Sequence, residues 1–203
     1  MRTVGVRNAI GVLLCFAALG LILAGCGWQA SSRTDIDGVP GGFTYGGSSS
    51  ANYELYELAA DHLASGEVGQ AEDIYRQLVE LETGSPDAQV GLGSSLFLQG
   101  RLDAAEQAYL AALGLQADSA AALVGLGSVY LQQAAFEQAE DTYRAALRYE
   151  PGNPDALWGL ALSLHALGQD GEALEKLERV RSLVPSTTLA ENASNLIDSI
   201  QQE

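Results

Sequence analysis

The chain is poor in the residues that build metal and redox centres. Its 203 residues include two cysteines and two histidines. The cysteines, Cys15 and Cys26, lie near the amino end, while His62 and His165 are far apart and have no neighbours at metal-ligand spacing. We therefore expect no metal site and no cofactor.

Basic residues are also scarce. Ten Lys and Arg stand against 26 Asp and Glu, which gives a net charge of -16. Such a surface argues against binding to nucleic acid or to anionic lipid headgroups. The acids are unevenly placed, because residues 52–119 hold 12 acids and 2 bases whereas residues 120–187 hold 9 and 5. This imbalance is typical of a solvated surface, or of a first half that docks a basic partner.

The amino end has the organisation of a targeting signal. Two arginines in the first seven residues precede an apolar stretch over 9–23, which is short for a membrane span of about 20 residues. The segment Leu23-Ala24-Gly25-Cys26 closes it. These features resemble the lipobox of bacterial lipoproteins; the alternatives are an ordinary secretory signal or an uncleaved anchor.

The lipobox resemblance implies a specific processing and location. Residues 1–25 would be a signal peptide that is removed, and Cys26 would carry a diacylglycerol on its thiol. No free cysteine would then remain to form a disulfide. In the enteric-type family an aspartate after the lipidated cysteine favours the inner membrane, so Gly27 implies lipid anchoring at the periplasmic face of the outer membrane.

Residues 26–51 read as a lipidated cysteine followed by a tether rich in glycine and serine. A flexible chain of about 25 residues reaches roughly 25–30 Å on average, enough to clear the lipid headgroups. Three aromatic residues interrupt the segment, as interfacial anchors or as a short stretch that orders against the first helix: Trp28, Phe43 and Tyr45.

From Asn52 onward the chain repeats every 34 residues. One series is aromatic or aliphatic, and another is small: Tyr75, Tyr109, Tyr143 and Leu177; Ala59, Gly93, Gly127 and Ala161. This period and pattern resemble the tetratricopeptide repeat family. The resemblance implies an all-α, right-handed superhelix of four helix-turn-helix repeats over 52–85, 86–119, 120–153 and 154–187.

Local signals refine the expected repeats. Gly66, Gly100 and Gly168 are expected to end the first helix of a repeat in the left-handed conformation, whereas Ala134 departs from this series and predicts a different or strained turn. Residues 188–203 read as a capping helix, because a capping-box pair starting at Thr188 precedes apolar residues at helical spacing.

No constellation typical of catalysis is found. Three Gly-Leu-Gly or Gly-Leu-Ala segments fall inside predicted helices at repeat spacing, which indicates packing positions rather than phosphate loops. His62 occupies a position that is usually aromatic, so we expect it to be buried and hydrogen-bonded. We predict a binding protein and not an enzyme.

In tetratricopeptide arrays the first helices line a concave groove. Carried over position by position, the resemblance assigns a protein-binding groove to Tyr53, Tyr56, Val90, Ser94, Phe97, Val124, Ser128, Leu131, Trp158, Leu162 and His165. Gly91, Gly125 and Gly159 would face it and leave room for a ligand. The alternative for Val90, Val124 and Leu131 is packing between neighbouring repeats.

The expected groove is apolar and aromatic, with a few hydroxyls. The chaperone-adaptor branch of the family grips carboxylates with lysine, arginine and asparagine, none of which occurs in this set. The groove therefore suits an apolar helix or extended segment of a protein partner, such as a secretin subunit, and no small-molecule substrate.

The architecture resembles the pilotin-type lipoproteins of pilus and secretion machines, which include TadD of the tight-adherence pilus and PilF/PilW of type IV pili. That resemblance implies an adapter that helps secretin subunits to localise or assemble. The alternative is a structural scaffold lipoprotein of an envelope or exopolysaccharide-export complex.

Overall fold

The computed structural model describes residues 50–202, so the predicted signal peptide, Cys26 and almost the whole tether lie outside the described residues. Within that range the chain forms nine α-helices and no strand. They are α1 (Ser50–Ala64), α2 (Val68–Leu81), α3 (Pro86–Leu98), α4 (Leu102–Leu115), α5 (Ala120–Gln132), α6 (Phe136–Tyr149), α7 (Pro154–Ala166), α8 (Asp170–Leu183) and α9 (Thr188–Gln202). Four helix pairs and a ninth helix confirm the predicted all-α superhelical fold.

Three first helices begin at a side-chain cap. Ser85, Ser119 and Asn153 each accept a hydrogen bond from the backbone N–H three residues later, at 3.3, 3.3 and 2.9 Å. Pro86 and Pro154 occupy the first helical turn, where the missing N–H has no intrahelical partner to lose. The sequence therefore fixes where these helices start.

The turn inside each repeat is the same in all four repeats. Gly66, Gly100 and Gly168 have positive φ values of 76, 74 and 77°, and Ala134 adopts the same conformation with φ 58°. In the third repeat Ala134 N–H donates to the Leu131 carbonyl at 3.0 Å, as Gly100 N–H does to its counterpart at 2.9 Å. The backbone of this turn is therefore the same in all four repeats, and in repeat three it holds an alanine in the strained left-handed conformation.

Each apolar core extends beyond a single repeat. The first core joins Ala59, Tyr75 and Leu78 of repeat one to Ala88 of repeat two, and the next two join consecutive repeats in the same way. The fourth core joins repeat four to α9. Because no repeat buries its apolar face alone, stacking provides the core.

Polar contacts also join neighbouring repeats. The buried Glu72 carboxylate accepts hydrogen bonds from Gln99 at 2.6 Å and Arg101 at 2.7 Å in the next repeat. Hydrogen bonding from Gln99, and then from Arg101, outweighs burial and holds the pKa of Glu72 below its ordinary value. Arg144 makes a similar connection between repeats three and four through two 3.1 Å bonds to Glu172.

The ninth helix closes the array. Its apolar face is buried against α7 and α8, as predicted, through Leu189, Ala193, Leu196, Ile197 and Ile200. The predicted N-cap of this helix, Thr188, lies one residue after the residue that caps it in the structure.

The hydroxyl that caps α9 belongs to Thr187. Its Oγ1 accepts from the Ala190 N–H at 3.3 Å, whereas Thr188 is already inside the helix. Adjacent threonines offer the same hydroxyl, so sequence spacing alone did not distinguish them.

Candidate functional site

The first helices of repeats two, three and four form a continuous layer. Helix α3 contacts α5, and α5 contacts α7. Helices α2, α4 and α6 each pack between the first helices of their own and the next repeat, and α8 packs between α7 and the capping helix α9. The predicted groove residues of these three repeats lie on this layer of first helices. The layer is the candidate binding face.

The structure separates the predicted groove residues by exposure. Tyr53 is 46 % exposed. The half-buried members are Tyr56, Val90, Val124, Ser128, Leu131 and His165, and the buried members are Ser94, Phe97, Trp158 and Leu162. Only the exposed and half-buried side chains can touch a partner without repacking, so binding by the set as a whole stays a prediction.

Trp158 belongs to the closing core and not to an open surface. It is 6 % exposed and lies in the apolar cluster that α9 completes. Its indole N–H is buried and has no acceptor among the described residues. Replacing Trp158 would therefore disturb the closure of the array, at about 3–5 kcal/mol for truncation to alanine.

Tyrosine rings occupy the space that the groove glycines were predicted to leave. A Cβ added at the glycine would lie 2.1, 2.3 and 2.1 Å from a ring of the preceding second helix, in the pairs Gly91–Tyr75, Gly125–Tyr109 and Gly159–Tyr143. The prediction of room for a ligand at these glycines was wrong. Each glycine instead admits the aromatic ring that joins two repeats.

Two hydrogen-bonded serine–tyrosine pairs, Ser94–Tyr109 in repeat two and Ser128–Tyr143 in repeat three, are referred to as the polar floor. Ser94 Oγ donates to the main-chain carbonyl four residues earlier at 3.0 Å and lies 3.1 Å from Tyr109 Oη. Ser128 repeats the arrangement at 2.9 Å and lies 3.0 Å from Tyr143 Oη. Because each serine proton is used on the main chain, the tyrosine hydroxyl must donate to the serine.

Asp155 is the second residue of α7 and lies one helical turn before Gly159, which packs against the Tyr143 ring. Its carboxylate is half-buried, and burial alone raises its pKa above the ordinary value. Burial raises the pKa of the Tyr143 hydroxyl as well, and the charge of Asp155 adds to that effect. Asp87, at the equivalent position of repeat two, is exposed. Asp155 is therefore a half-buried carboxylate whose charge acts on the Tyr143 hydroxyl.

Tyr56 is held by a separate polar cluster in the first repeat. Its hydroxyl donates to Glu82 Oε2 at 2.8 Å and lies 2.7 Å from Ser85 Oγ, while Asn52 donates to Glu82 Oε1 at 2.9 Å. Burial raises the pKa of Tyr56. These contacts fix α1 to the segment between α2 and α3.

The two histidines connect helices within a repeat. His165 Nδ1 lies 2.6 Å from Asp170 Oδ1, and His62 Nδ1 lies 2.5 Å from Glu67 Oε2. The His62 side chain is 24 % exposed, so the expected hydrogen bond is present and the expected full burial is not. Across residues 50–202 no group of three or more potential ligands could hold a metal ion.

Sequence reasoning missed Asp155 and the hydroxyl pairs. A signal for the pairs exists within the repeats themselves. Ser94 and Tyr109 recur as Ser128 and Tyr143, whereas repeat four replaces both members at once, with Leu162 and Leu177. Repeat one has Ala60 at the serine position and keeps Tyr75, so the serine occurs only in repeats that also carry the tyrosine, as expected of two positions in contact. No comparable sequence signal marks the burial of Asp155.

None of the helices in the described part of the chain is both long and apolar enough to cross a membrane. A family model described as tetratricopeptide repeat matches residues 56–122 and 124–186. None of the curated proteins matches the chain significantly.

Solved structures share the fold. A MamA protein is 25 % identical with a TM-score of 0.57, over 66 % of this chain and 73 % of that one. The first tetratricopeptide domain of Spaghetti (RPAP3), bound to the HSP90 peptide SRMEEVD, is 22 % identical with a TM-score of 0.56, over 60 % and 96 %. The Arabidopsis OM64 domain is 18 % identical with a TM-score of 0.54, over 58 % and 95 %.

Proposed function

The chain belongs to the tetratricopeptide repeat family, a family of protein-interaction scaffolds, and we propose that it is a lipid-anchored adapter of the bacterial envelope that binds a segment of a pilus or secretion-system secretin. The observation that carries the binding role is the continuous layer of α3, α5 and α7. Its half-buried side chains include Val90, Val124 and Leu131, which pack against the cores between repeats, as the alternative for them expected, and leave only part of their apolar surface exposed along one face. A related fold holds a peptide in the RPAP3 complex.

The anchoring role rests on the amino-terminal sequence. Leu23-Ala24-Gly25-Cys26 has the lipobox pattern, and the residues between Cys26 and α1 give the array reach from a membrane surface. In this mechanism the lipid places the array at the outer membrane, the tether allows it to search, and the layer of first helices holds an apolar segment of the client. Several acyl chains give durable attachment, whereas one does not.

A scaffold role has its own supporting observation. Large apolar side chains are exposed at the same position of three successive second helices, at 56 % for Leu81, 49 % for Leu115 and 50 % for Tyr149. The fourth member, Leu183, is half-buried against the closing core. A row of this kind suits a second partner that lies along the array.

In-cell photo-crosslinking separates the two roles. A crosslinking amino acid replaces Val124 on the layer of first helices, with a matched probe at the exposed Leu115. Adducts of a secretin or pilus subunit at Val124 alone support the pilotin role. Adducts of polysaccharide-export or cell-wall proteins at Leu115, or the same adducts at both positions, favour the scaffold and contradict the pilotin.

The anchor has a separate test in the same cells. Cys26→Ser should abolish incorporation of radiolabelled palmitate and move the protein out of the membrane fraction. Cys15→Ser is the control and should leave both unchanged, because Cys15 lies within the predicted signal peptide. Palmitate labelling that survives Cys26→Ser would contradict lipidation at this residue.

A further inference from the structure

In the serine–tyrosine pairs every hydroxyl proton is already used in a hydrogen bond, so these hydroxyl groups can only accept further hydrogen bonds. Ser128 Oγ uses its proton on the Val124 carbonyl at 2.9 Å, and the Tyr143 hydroxyl, 3.0 Å away, then donates to Ser128. The Tyr143 oxygen retains its lone pairs. Because Tyr143 is 2 % exposed, this oxygen acts through its electrostatic field and not by direct contact with a ligand.

Asp155 adds a full negative charge to the partial negative charge of these hydroxyl oxygens. The carboxylate is half-buried, and no ion pair or side-chain hydrogen bond reaches it from the described residues. It lies one helical turn before Gly159, which packs against the Tyr143 ring, and its charge adds to the burial that raises the pKa of the Tyr143 hydroxyl. An acid in the first turn of α7 stabilises the helix dipole, which accounts for an acidic residue there. It does not account for the burial, since Asp87 has the same helical position and is exposed.

No positive charge balances these groups on the candidate face. None of the groove positions assigned from the repeat pattern is lysine or arginine, and the chain carries a net charge of -16. A desolvated carboxylate without a partner is unfavourable, and a ligand cation that pairs with it removes this penalty. Charge complementarity therefore points to one polarity of ligand.

We propose that the groove selects a partner segment that is apolar and carries an arginine or lysine, whose cationic group pairs with Asp155. This inference rests on the proposed function, because it requires a peptide-binding groove, and it names the chemistry of the client. Such a groove binds a cationic group, whereas the grooves of the chaperone-adaptor branch bind carboxylates. A second copy of the chain is a weaker occupant, since both copies carry the same strong negative charge.

Selection from a random peptide display library tests the proposal. The bait is the full chain purified in detergent, as wild type, as Asp155→Asn, and as Asp141→Asn. Asp141 is an exposed acid on α6, so its replacement makes the same change in net charge away from the groove. We expect wild type and Asp141→Asn to enrich apolar peptides with arginine or lysine, and Asp155→Asn to lose the basic preference.

Calorimetry on one selected peptide gives the magnitude. Asp155→Asn should weaken binding about tenfold, the loss expected for one partly desolvated charge pair, and Asp141→Asn should change it by less than about twofold. Replacing the peptide's arginine with neutral citrulline should weaken binding to wild type and not to Asp155→Asn.

The outcomes distinguish the inference from the proposed function. Apolar peptides without a basic preference, acidic peptides, or a basic preference that survives Asp155→Asn would overturn the inference and leave the binding groove standing. No peptide enriched by any bait would overturn both.

Two further outcomes identify a different occupant. Arg33 is the single basic residue between Cys26 and α1. Tighter peptide binding after Arg33→Gln would assign Asp155 to the chain's own amino-terminal segment. Self-association that disappears with Asp155→Asn, measured by sedimentation, would assign it to a second copy. Either result overturns the assignment to a partner protein.

Discussion

Replacing Ala134 with glycine should stabilise the protein. Ala134 has φ 58°, in the left-handed region that costs an L-residue about 1–2 kcal/mol, and its side chain is exposed, so no packing is lost. Glycine releases that strain but gives the unfolded chain more freedom, which offsets about 0.5–1 kcal/mol. The two ranges leave a net gain between about 0 and 1.5 kcal/mol, centred on about 0.75 kcal/mol. In a chain of this size the midpoint of thermal unfolding should rise by about 2–4 °C per kcal/mol.

The reverse change at an equivalent turn provides the control. Gly100 has φ 74°, and a Cβ added there has no heavy atom within 4 Å, so Gly100→Ala changes only the conformational preference. It should lower the midpoint by about the amount that Ala134→Gly raises it. Both variants are measured by thermal and denaturant unfolding of the full chain. A lower midpoint for Ala134→Gly, or no effect of Gly100→Ala, would refute the assignment of strain to this turn.

Four other substitutions test packing and ionisation. Gly125→Ala should destabilise the array by about 1–3 kcal/mol because the new Cβ meets the Tyr109 ring at 2.3 Å, whereas Gly114→Ala, with no neighbour within 4 Å, should stabilise it by about 0.5–1 kcal/mol in denaturant titrations. Glu72→Gln should destabilise at pH 7 by about 1–2 kcal/mol. Because the pKa of Glu72 is lowered in the folded state, the ionised side chain stabilises the fold above the unfolded-state pKa of about 4.3, and this stabilisation is lost as pH falls through the folded-state pKa. A stability difference between Glu72→Gln and wild type that persists unchanged at low pH would contradict this. Asp155 affects the pH dependence of unfolding in the opposite direction, because its raised pKa means that ionising it lowers the stability of the folded state. The stability of Asp155→Asn relative to wild type should therefore increase as pH rises from about 4 to 7. A stability difference that stays constant or falls over this range would contradict the burial of this carboxylate.

The repeat architecture could be predicted from sequence because its geometry demands particular residues at fixed positions. Gly100 and Gly168 end first helices in the left-handed conformation, and Gly93 and Gly127 lie within helices where a tyrosine ring comes close. Few residue types satisfy either requirement, so the chain shows a 34-residue period. Ala134 marks the limit of this reasoning, because the sequence indicated a departure and only the structure shows that the turn is unchanged.

The exposure of the groove residues could not be predicted in the same way. Position in the repeat gives the face of the helix but not the distance to the neighbouring repeat. Trp158 and Val124 occupy equivalent positions, yet α9 completes a core around the first and leaves the second half-buried. The burial of Asp155 likewise depends on its neighbours in space, which periodicity does not describe. Tertiary packing decides such cases.

The candidate site therefore narrows to the middle of the array. In repeat four the serine–tyrosine pair is replaced by Leu162 and Leu177, and α9 closes the core around them, so this repeat mainly terminates the stack. The hydroxyl pairs belong to repeats two and three, where Tyr109 and Tyr143 each join two repeats through a glycine contact. Since those rings both hold the stack together and form the polar floor, substitutions there change stability and binding together. Asp155 belongs to none of the four apolar clusters, so its replacement changes the free energy of unfolding through its charge and not through lost core packing.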